Sequence, residues 1–474
     1  MSTALKVYHK LPPAARSTVA SLRGYYLNWW RYDSRTDQLV EEALERDRWS
    51  ADEWRAFQDE RLGFLLERAA AKVPFYRRMW EERRRKGDKA SWSYLENWPV
   101  LEKESLRSEP EAFVADDRST SRMFHDHTSG TTGTSLDLWL SGETVKEWYA
   151  LFEARARRWY GLSRNDRWAI FGGQLVAPVT RQKPPYWVWN KGLNQLYMSS
   201  YHLSAESAPA YVEALRKYGI TYVLGYPSAI ESLARESIRQ GIAAPELKVA
   251  IANAEPLFEH QREAISEAFG CPVRETYGMA EIAAAASECE EGSLHQWPEA
   301  GIIETLDGGS ADSGEFICTG LLNTDMPLIR YRVGDSGTFS EKECACGRGL
   351  TVIDAIEGRT DDLLYTKGGR RVGRMDPVFK GGIRMKEAQI VQESLTDIKV
   401  RFVPAEGLRA EDKDQLASRI RERLGSVEVE FEEVRQIPRT SRGKFRAVVC
   451  NISEEDRAAI RVLNDGPGDG TGTG

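Results

Sequence analysis

An α/β architecture followed by a smaller α+β domain is predicted by three observations along this chain of 474 residues. Apolar residues in the first hundred positions recur at helical spacing. From about residue 120 to 340, short apolar strands alternate with helices. Past a Gly-Arg-Thr-Asp-Asp segment at 358–362, a second, shorter series of strands and helices follows. It spans about 100 residues, a normal size for an independent unit.

The elements follow in order. Leu62, Leu65, Leu66, Ala69 and Ala70 form a helical stripe, and Val73-Pro74 breaks it, because proline cannot continue a helix. Arg83-Arg84-Arg85-Lys86, directly after Glu81-Glu82, reads as the solvated face of a helix. The aromatic and basic segment Tyr25 to Arg31 reads as a buried amphipathic helix or as a contact with a membrane surface. Strands are expected at Arg167 to Phe171, Tyr222 to Leu224, Val249 to Ala252 and Glu315 to Thr319. Helices are expected between them at Ala208 to Tyr218 and Ala229 to Gln240. Beyond the 358–362 boundary come a strand, a helix from about Lys386 to Thr396 and a strand Lys399 to Pro404. A helix Ala410 to Leu424 and a strand Val427 to Glu433 complete the series. The tail from 461, rich in Gly, Thr, Pro and Asp, is expected to be disordered.

Composition narrows the function. A hydrophobic content of 41% supplies a large core, so the chain is globular. A formal charge of −7 argues against a general nucleic-acid binder, which needs a basic face. No run of about 18 apolar residues is present, so no membrane span is expected. The first 22 residues lack the continuous apolar core of a signal peptide, which points to the cytoplasm. Six cysteines in so long a chain do not form a disulfide scaffold.

The richest segment is His127-Thr128-Ser129-Gly130-Thr131-Thr132-Gly133-Thr134-Ser135. It packs six hydroxyl side chains and two glycines into nine residues, with no acid. Glycine lets the backbone approach a ligand closely, and hydroxyls with backbone N–H groups cradle phosphate oxygens. It is not a Walker loop, since no Lys follows the last glycine. A Ser/Thr-rich surface turn is the plainer reading of these residues alone.

Four further segments follow it: Thr276-Tyr277-Gly278-Met279-Ala280-Glu281, Tyr331-Arg332-Val333-Gly334-Asp335, Gly358-Arg359-Thr360-Asp361-Asp362 and Pro438-Arg439-Thr440-Ser441-Arg442-Gly443-Lys444. Together the five resemble the core motifs of the AMP-forming adenylating enzymes, over residues 60 to 450. Val73-Pro74-Phe75-Tyr76-Arg77, Gly225-Tyr226-Pro227-Ser228 and Asn253-Ala254-Glu255-Pro256-Leu257 are similar to signatures of the phenylacetate–coenzyme A ligase-like group. The segment from Leu11-Pro12 to Tyr32 resembles the branch found in capsule and polysaccharide clusters.

The resemblance implies a large adenylating domain with a helical N-terminal segment (1–100) and a core (101–359). A small mobile α+β lid (360–460) would follow. Ser129, Gly130, Thr131, Thr132 and Gly133 would hold the β- and γ-phosphates of ATP. Leu136 stands where most of the superfamily has a Lys, which shifts work to backbone donors and Mg²⁺. Glu281 would be the Mg²⁺ ligand, as hard cations take carboxylate oxygen. Ala254, Glu255, Thr276, Tyr277 and Gly278 would border the nucleotide, with Tyr277 flanking the adenine. Asp335 would accept the ribose hydroxyls, and Arg359 would contact ribose or phosphate. Gly225, Tyr226, Pro227 and Ser228 would line the acyl pocket, and the aromatic stretch Tyr186 to Tyr197 is either pocket or core. Asp361 would be the hinge, and Lys444 the catalytic cation bridging the attacking carboxylate and the α-phosphate.

Cys289, His295, Cys344 and Cys346 form a Cys₃His set suited to a closed structural zinc site beside the nucleotide pocket. Two loops with free thiols, or a redox pair, are the alternatives. Cys271, Cys318 and Cys450 read as packed thiols. The expected reaction is adenylation of a small carboxylic acid and transfer of the acyl group to coenzyme A. An amine or hydroxyl on a sugar or peptide is the second candidate acceptor. A non-catalytic scaffold is the third reading, and it has no need of Glu281, Asp335 and Lys444. The acid, the acceptor and the oligomeric state stay open at this level.

Overall fold

The computed structural model describes residues 3–127, 136–174, 176–178, 181–310, 313–359, 364–367, 371–372, 375, 378, 384–439 and 445–453. The chain opens with helices α1 (Thr3–Lys10), α2 (Pro13–Arg31), α3 (Ser34–Arg46), α4 (Ala51–Lys72) and α5 (Pro74–Arg85). Caps set their starts: Asp33 accepts from the Thr36 N–H at 2.9 Å, and Ser50 and Glu53 cap α4 reciprocally. Leu65, Leu66 and Ala69 of α4 are buried, as the stripe predicts, and Pro74 starts the next helix. Arg85 and Lys86 are solvated and pair with Glu81 and Glu82, whereas Arg83 and Arg84 lie over the Trp80 ring. Only part of α2 fits the buried reading. Its Tyr25, Tyr26 and Trp29 side chains are exposed.

A two-stranded hairpin, β1 (Phe124–His127) with β2 (Asp137–Leu140), precedes helix α7 (Gly142–Ala156); a short helix α6 (Lys103–Ser108) lies before it. The main sheet then forms from β3 (Trp168–Gly172), β4 (Trp187–Asn190), β5 (Gln195–Ser199), β6 (Tyr222–Gly225), β7 (Val249–Asn253) and β8 (Val273–Gly278). It continues through β9 (Ala285–Glu288), β10 (Leu294–Gln296), β11 (Gly301–Ser310), β12 (Ser313–Gly320), β13 (Tyr331–Phe339) and β14 (Val352–Arg359). Its strand order is β11-β12-β13-β14-β10-β9-β8-β7-β6-β3-β5-β4. Strands β5, β3, β6, β7 and β8 run parallel, and β6 is buried along its whole length, as parallel strands between helices are. Helices α8 (Ala208–Lys217), α9 (Pro227–Arg239) and α10 (Glu259–Phe269) supply that cover through Tyr211, Leu215, Ile230, Leu233 and Ile265. Tyr186 and Trp187 pack on Tyr211, so this part of the aromatic stretch is core.

The C-terminal part holds β15 (Leu364–Tyr365), β16 (Arg371–Val372), β17 (Met385–Gln392), β18 (Asp397–Pro404), α11 (Ala410–Leu424), β19 (Glu428–Glu433) and β20 (Val448–Cys450). The order β19-β18-β17-β20 makes a separate four-stranded sheet, on which Leu416, Ile420 and Leu424 of α11 pack. The expected helix from Lys386 to Thr396 is wrong. Met385–Gln392 is a central strand, paired antiparallel with β18 and parallel with β20. Gln389, Ile390, Val391 and Gln392 are all buried, so ladder pairing on both sides overrides a helix-like composition. The expected disordered tail lies outside the described residues, as does the hinge candidate Asp361. No helix among the described residues is long and apolar enough to cross a membrane.

Candidate functional site

Three of the motif segments leave the same edge of the sheet. Parallel strands β6, β7 and β8 end at Gly225, Asn253 and Gly278, and the chain turns there into Tyr226-Pro227-Ser228, Ala254-Glu255 and Met279-Ala280-Glu281. The carboxyl edge of a parallel sheet is where open α/β folds bind ligands. At Gly225 the backbone crosses so close to β3 that a Cβ would lie 2.2 Å from the Phe171 carbonyl oxygen, and φ is +154°. Glycine is required there. Pro227 then opens α9 at its first position. Ala254 holds φ 64° and Ile282 holds φ 52°, left-handed conformations that a non-glycine residue adopts at a cost. Ala254 is itself a candidate nucleotide residue and Ile282 follows Glu281, and sequence spacing carries no sign of either conformation.

The Tyr277 hydroxyl donates to Asp335 Oδ2 at 2.7 Å. Burial, with the Asp335 charge adding to it, pushes the Tyr277 phenol well above its ordinary value, so it stays a donor. Asp335 in turn lies opposite Arg359 across β13 and β14. Tyr331, wholly buried, donates to Glu281 Oε1 at 3.1 Å. Five residues of three distant motifs therefore meet: Tyr277 and Glu281 from one, Tyr331 and Asp335 from another, and the backbone of Arg359 from the third. Thr276 donates to the Ala252 carbonyl at 3.2 Å, joining β8 to β7. Residues 128–135, including Ser129, Gly130, Thr131, Thr132 and Gly133, lie outside the described residues. They connect β1 and β2, whose ends His127 and Asp137 are paired. Leu136, in the place of the missing Lys, is buried.

Glu255 has a role the sequence did not suggest. Its carboxylate accepts from the Ser228 N–H at 3.3 Å and from the Phe445 N–H at 2.6 Å. Burial raises its pKa, opposed by Ser228, Phe445 and Arg439. Phe445 adjoins Lys444, which itself lies outside the described residues. The Arg439 guanidinium covers the Phe445 ring at 4.6 Å and pairs with Glu387. One buried carboxylate thus ties the C-terminal turn to the sheet edge.

The four predicted zinc ligands also meet. Ligand atoms of Cys289, His295, Cys344 and Cys346 all lie within 4.8 Å of one another. Cys289 Sγ is 3.6 Å from Cys344 Sγ, and Cys346 Sγ is 3.3 Å from His295 Nε2. A zinc tetrahedron with Zn–S of about 2.3 Å has edges of roughly 3.8 Å, so the set fits the ion; a disulfide needs about 2.05 Å. His295 Nδ1 lies 3.0 Å from the Leu350 carbonyl, which fixes the ring with Nε2 toward the thiols. Burial would raise the Cys344 thiol, but hydrogen bonds from Ser293, Cys346 and His295 outweigh it and hold the thiol low, at about 6. The expected position beside the nucleotide pocket is wrong. Strand β9 runs antiparallel to β8, so Cys289 follows Glu288 at the Val273 end of β8, opposite Gly278. Cys271, Cys318 and Cys450 are buried singly, as expected.

The AMP-binding enzyme family model matches residues 55–303, more than half of the chain, and the CapK C-terminal domain model matches 364–451. Protein CapK of Staphylococcus aureus is 26% identical over 390 residues, covering 80% of this chain and 85% of that protein. A phenylacetate-coenzyme A ligase of Thermus thermophilus is 27% identical over 447 residues, covering 83% and 96%. Among solved structures, 2-hydroxyisobutyryl-CoA ligase in the postadenylation state aligns with a TM-score of 0.65 at 22% identity, over 89% of this chain and 94% of that one. Its likeness shows a shared fold. A sheet edge that gathers the adenylating motifs, and a family match across most of the region that forms it, lead to one conclusion: this chain belongs to the AMP-binding enzyme family, in its phenylacetate–coenzyme A ligase-like and CapK-like group, and is an AMP-forming ligase.

Proposed function

We propose that the enzyme adenylates a small carboxylic acid with ATP and then passes the acyl group to coenzyme A. The observation that carries this reading is the 2.7 Å bond from Tyr277 to Asp335, which joins two motifs at the edge where β6, β7 and β8 end. Asp335 then has an oriented carboxylate for the ribose hydroxyls, and Tyr277 a fixed ring for the adenine. Arg359 stands opposite Asp335 for ribose or phosphate. Ser129, Gly130, Thr131, Thr132 and Gly133 grip the β- and γ-phosphates, with Ala254, Thr276 and Gly278 bordering the nucleotide. Gly225 through Ser228 border the acid.

Glu281 is the residue that holds Mg²⁺, since Tyr331 engages only its Oε1; the ion supplies charge neutralisation on the phosphates. Lys444 brings a second positive charge between the carboxylate and the α-phosphate. Attack on the α-phosphorus releases pyrophosphate and leaves an acyl-AMP. The thiol of coenzyme A then displaces AMP. Between the steps the lid, residues 360–460, swings about Asp361 and withdraws Lys444. The Glu255–Phe445 contact supports this, as a hydrogen bond holds the lid to the sheet edge at the residue after Lys444. Zinc is held by Cys289, His295, Cys344 and Cys346 as a structural ion. We assign its work to the cytoplasm, where ATP and coenzyme A are supplied.

Pyrophosphate release with ATP, Mg²⁺ and a panel of carboxylic acids tests the first step. Lys444→Ala abolishes it while AMP binding persists; undiminished release refutes the role of Lys444. The match of residues 364–451 to the CapK C-terminal domain model, a different family from the coenzyme A ligases, supports one other reading. In it, a sugar or peptide amine or hydroxyl is the acceptor. AMP release that depends on such an acceptor and not on coenzyme A selects that reading.

A further inference from the structure

Helix α2 is built inside out. Its inward face is small and polar: the Ser21 hydroxyl donates to the Trp189 carbonyl at 3.3 Å and accepts from the Lys191 N–H at 3.0 Å. Ser17 accepts from the Trp189 N–H at 3.2 Å. Gly24 is buried so tightly that a Cβ would overlap the Asn190 side chain at 1.8 Å. The large side chains point the other way. Val19, Leu22, Tyr25, Tyr26 and Trp29 fall within an arc of about 120°, at roughly 100° per residue. Leu22 is 66% exposed and Trp29 73%. Of the nine large apolar side chains exposed among the described residues, these five and Val7 of α1 make six. A helix that served only the fold would bury this stripe and expose its serines.

Charge says what covers it. Residues 1–32 contain Lys6, Lys10, Arg16, Arg23 and Arg31 and no Asp or Glu, in a chain of net charge −7. Lys10 and Arg23 are exposed beside the stripe, while Arg16 is buried and bonded to the Val176 carbonyl. The first acids that follow, Asp33 and Asp37, are occupied by Lys146 and Arg164. Tyr and Trp rings prefer the boundary between headgroups and acyl chains, and exposed cations add attraction to anionic lipid. A second copy docked stripe to stripe would bring Lys10 and Arg23 against their own like charges. The AMP-binding match begins at residue 55, so this face lies outside the part of the chain that carries the adenylating motifs.

We propose that α1 and α2 form a docking surface for an anionic lipid bilayer, on which the enzyme lies with Leu22 and Trp29 inserted at the headgroup level and nothing spanning. The test is co-sedimentation of the full chain with vesicles of phosphatidylcholine alone, or of phosphatidylcholine and phosphatidylglycerol in equal parts. Binding about ten-fold stronger to the anionic vesicles is expected, weakening as NaCl rises toward 1 M. Leu22→Ser with Trp29→Ser removes most of the binding, and Arg23→Glu lowers it on anionic vesicles. Circular dichroism and Tm, unchanged in these solvent-exposed positions, show that the variants remain folded. Three results overturn the proposal: no sedimentation with anionic vesicles, equal binding to both compositions, or wild-type binding by the double variant. A dimer in sedimentation velocity that the double variant dissociates, without vesicle binding, assigns the face to a second copy instead.

Discussion

Asp335, the proposed ribose contact, is held in one orientation by its neighbours. It follows Gly334 at φ +82°, sits on β13 and receives the Tyr277 hydroxyl on Oδ2. A carboxylate fixed on one oxygen presents the other in a set direction, which is what recognition of a diol requires. Asp335→Asn keeps the shape, removes the charge and replaces one acceptor by a donor. Hydrogen bonds to a charged group are worth about 1.5–3 kcal/mol, so the KM for ATP should rise roughly 10- to 100-fold with little change in Tm. Pyrophosphate kinetics check this; an unchanged KM removes Asp335 from the nucleotide site. Ala254 illustrates the opposite case. Its φ of 64° follows from where β7 must end and turn, a tertiary demand that its residue type does not record.

At the scale of elements, a buried ion network ties the N-terminal helices to the sheet. Arg155 of α7 reaches Asp47 after α3 at 2.9 Å and Glu299 at 2.7 Å, and Arg46 joins Glu299 at 3.1 Å. Burial alone would raise the Glu299 carboxyl, but the Arg155 charge and its hydrogen bonds outweigh it and hold Glu299 below its ordinary 4.5. The native state therefore binds fewer protons than the unfolded state around that pH. Its contribution to stability is present above about 4.5 and is lost as pH falls through the depressed value. Urea midpoints measured from pH 7 down to 3 should fall on acidification, with a shallower fall in Glu299→Gln; parallel curves would show that Glu299 is not the group. The variant should also be less stable at pH 7 by about 3–5 kcal/mol, because Arg155 is left buried with a partner missing. Elements of this size were partly legible in the sequence. The α4 stripe, the parallel strands and α11 follow from periodicity, because each buries one face or both in a regular way. Met385–Gln392 did not, because Met, Lys, Glu, Ala and Gln favour a helix until β18 and β20 pair with them. Nor did the pairing of Arg155 with Glu299, 144 residues apart.

Across the whole molecule, the proposed nucleotide site and the Cys₃His cluster lie toward opposite ends of one strand. Tyr277 and Gly278 close β8 at the proposed ligand edge, whereas Cys289 lies level with Arg274 near the other end, about 13 Å of strand away at roughly 3.3 Å per residue. The spacing of Cys289, His295, Cys344 and Cys346 named the set, yet only the antiparallel turn of β9 says which end of the sheet it occupies. The cluster joins the β9–β10 turn to the loop between β13 and β14. Those strands lead, at their far ends, to Tyr277 and Asp335, so the ion would set the spacing of the strands without touching the nucleotide. Metal analysis of the purified chain should give about one zinc per molecule. Cys289→Ser should lose the ion and about 3 kcal/mol of stability, which at roughly 2–4 °C per kcal/mol lowers Tm by about 6–12 °C. Pyrophosphate release measured well below that Tm should stay within about two-fold of wild type, as expected of a structural ion remote from the reacting atoms. A metal-free protein with the same Tm refutes the zinc, and a variant that keeps its Tm but loses adenylation refutes its structural role.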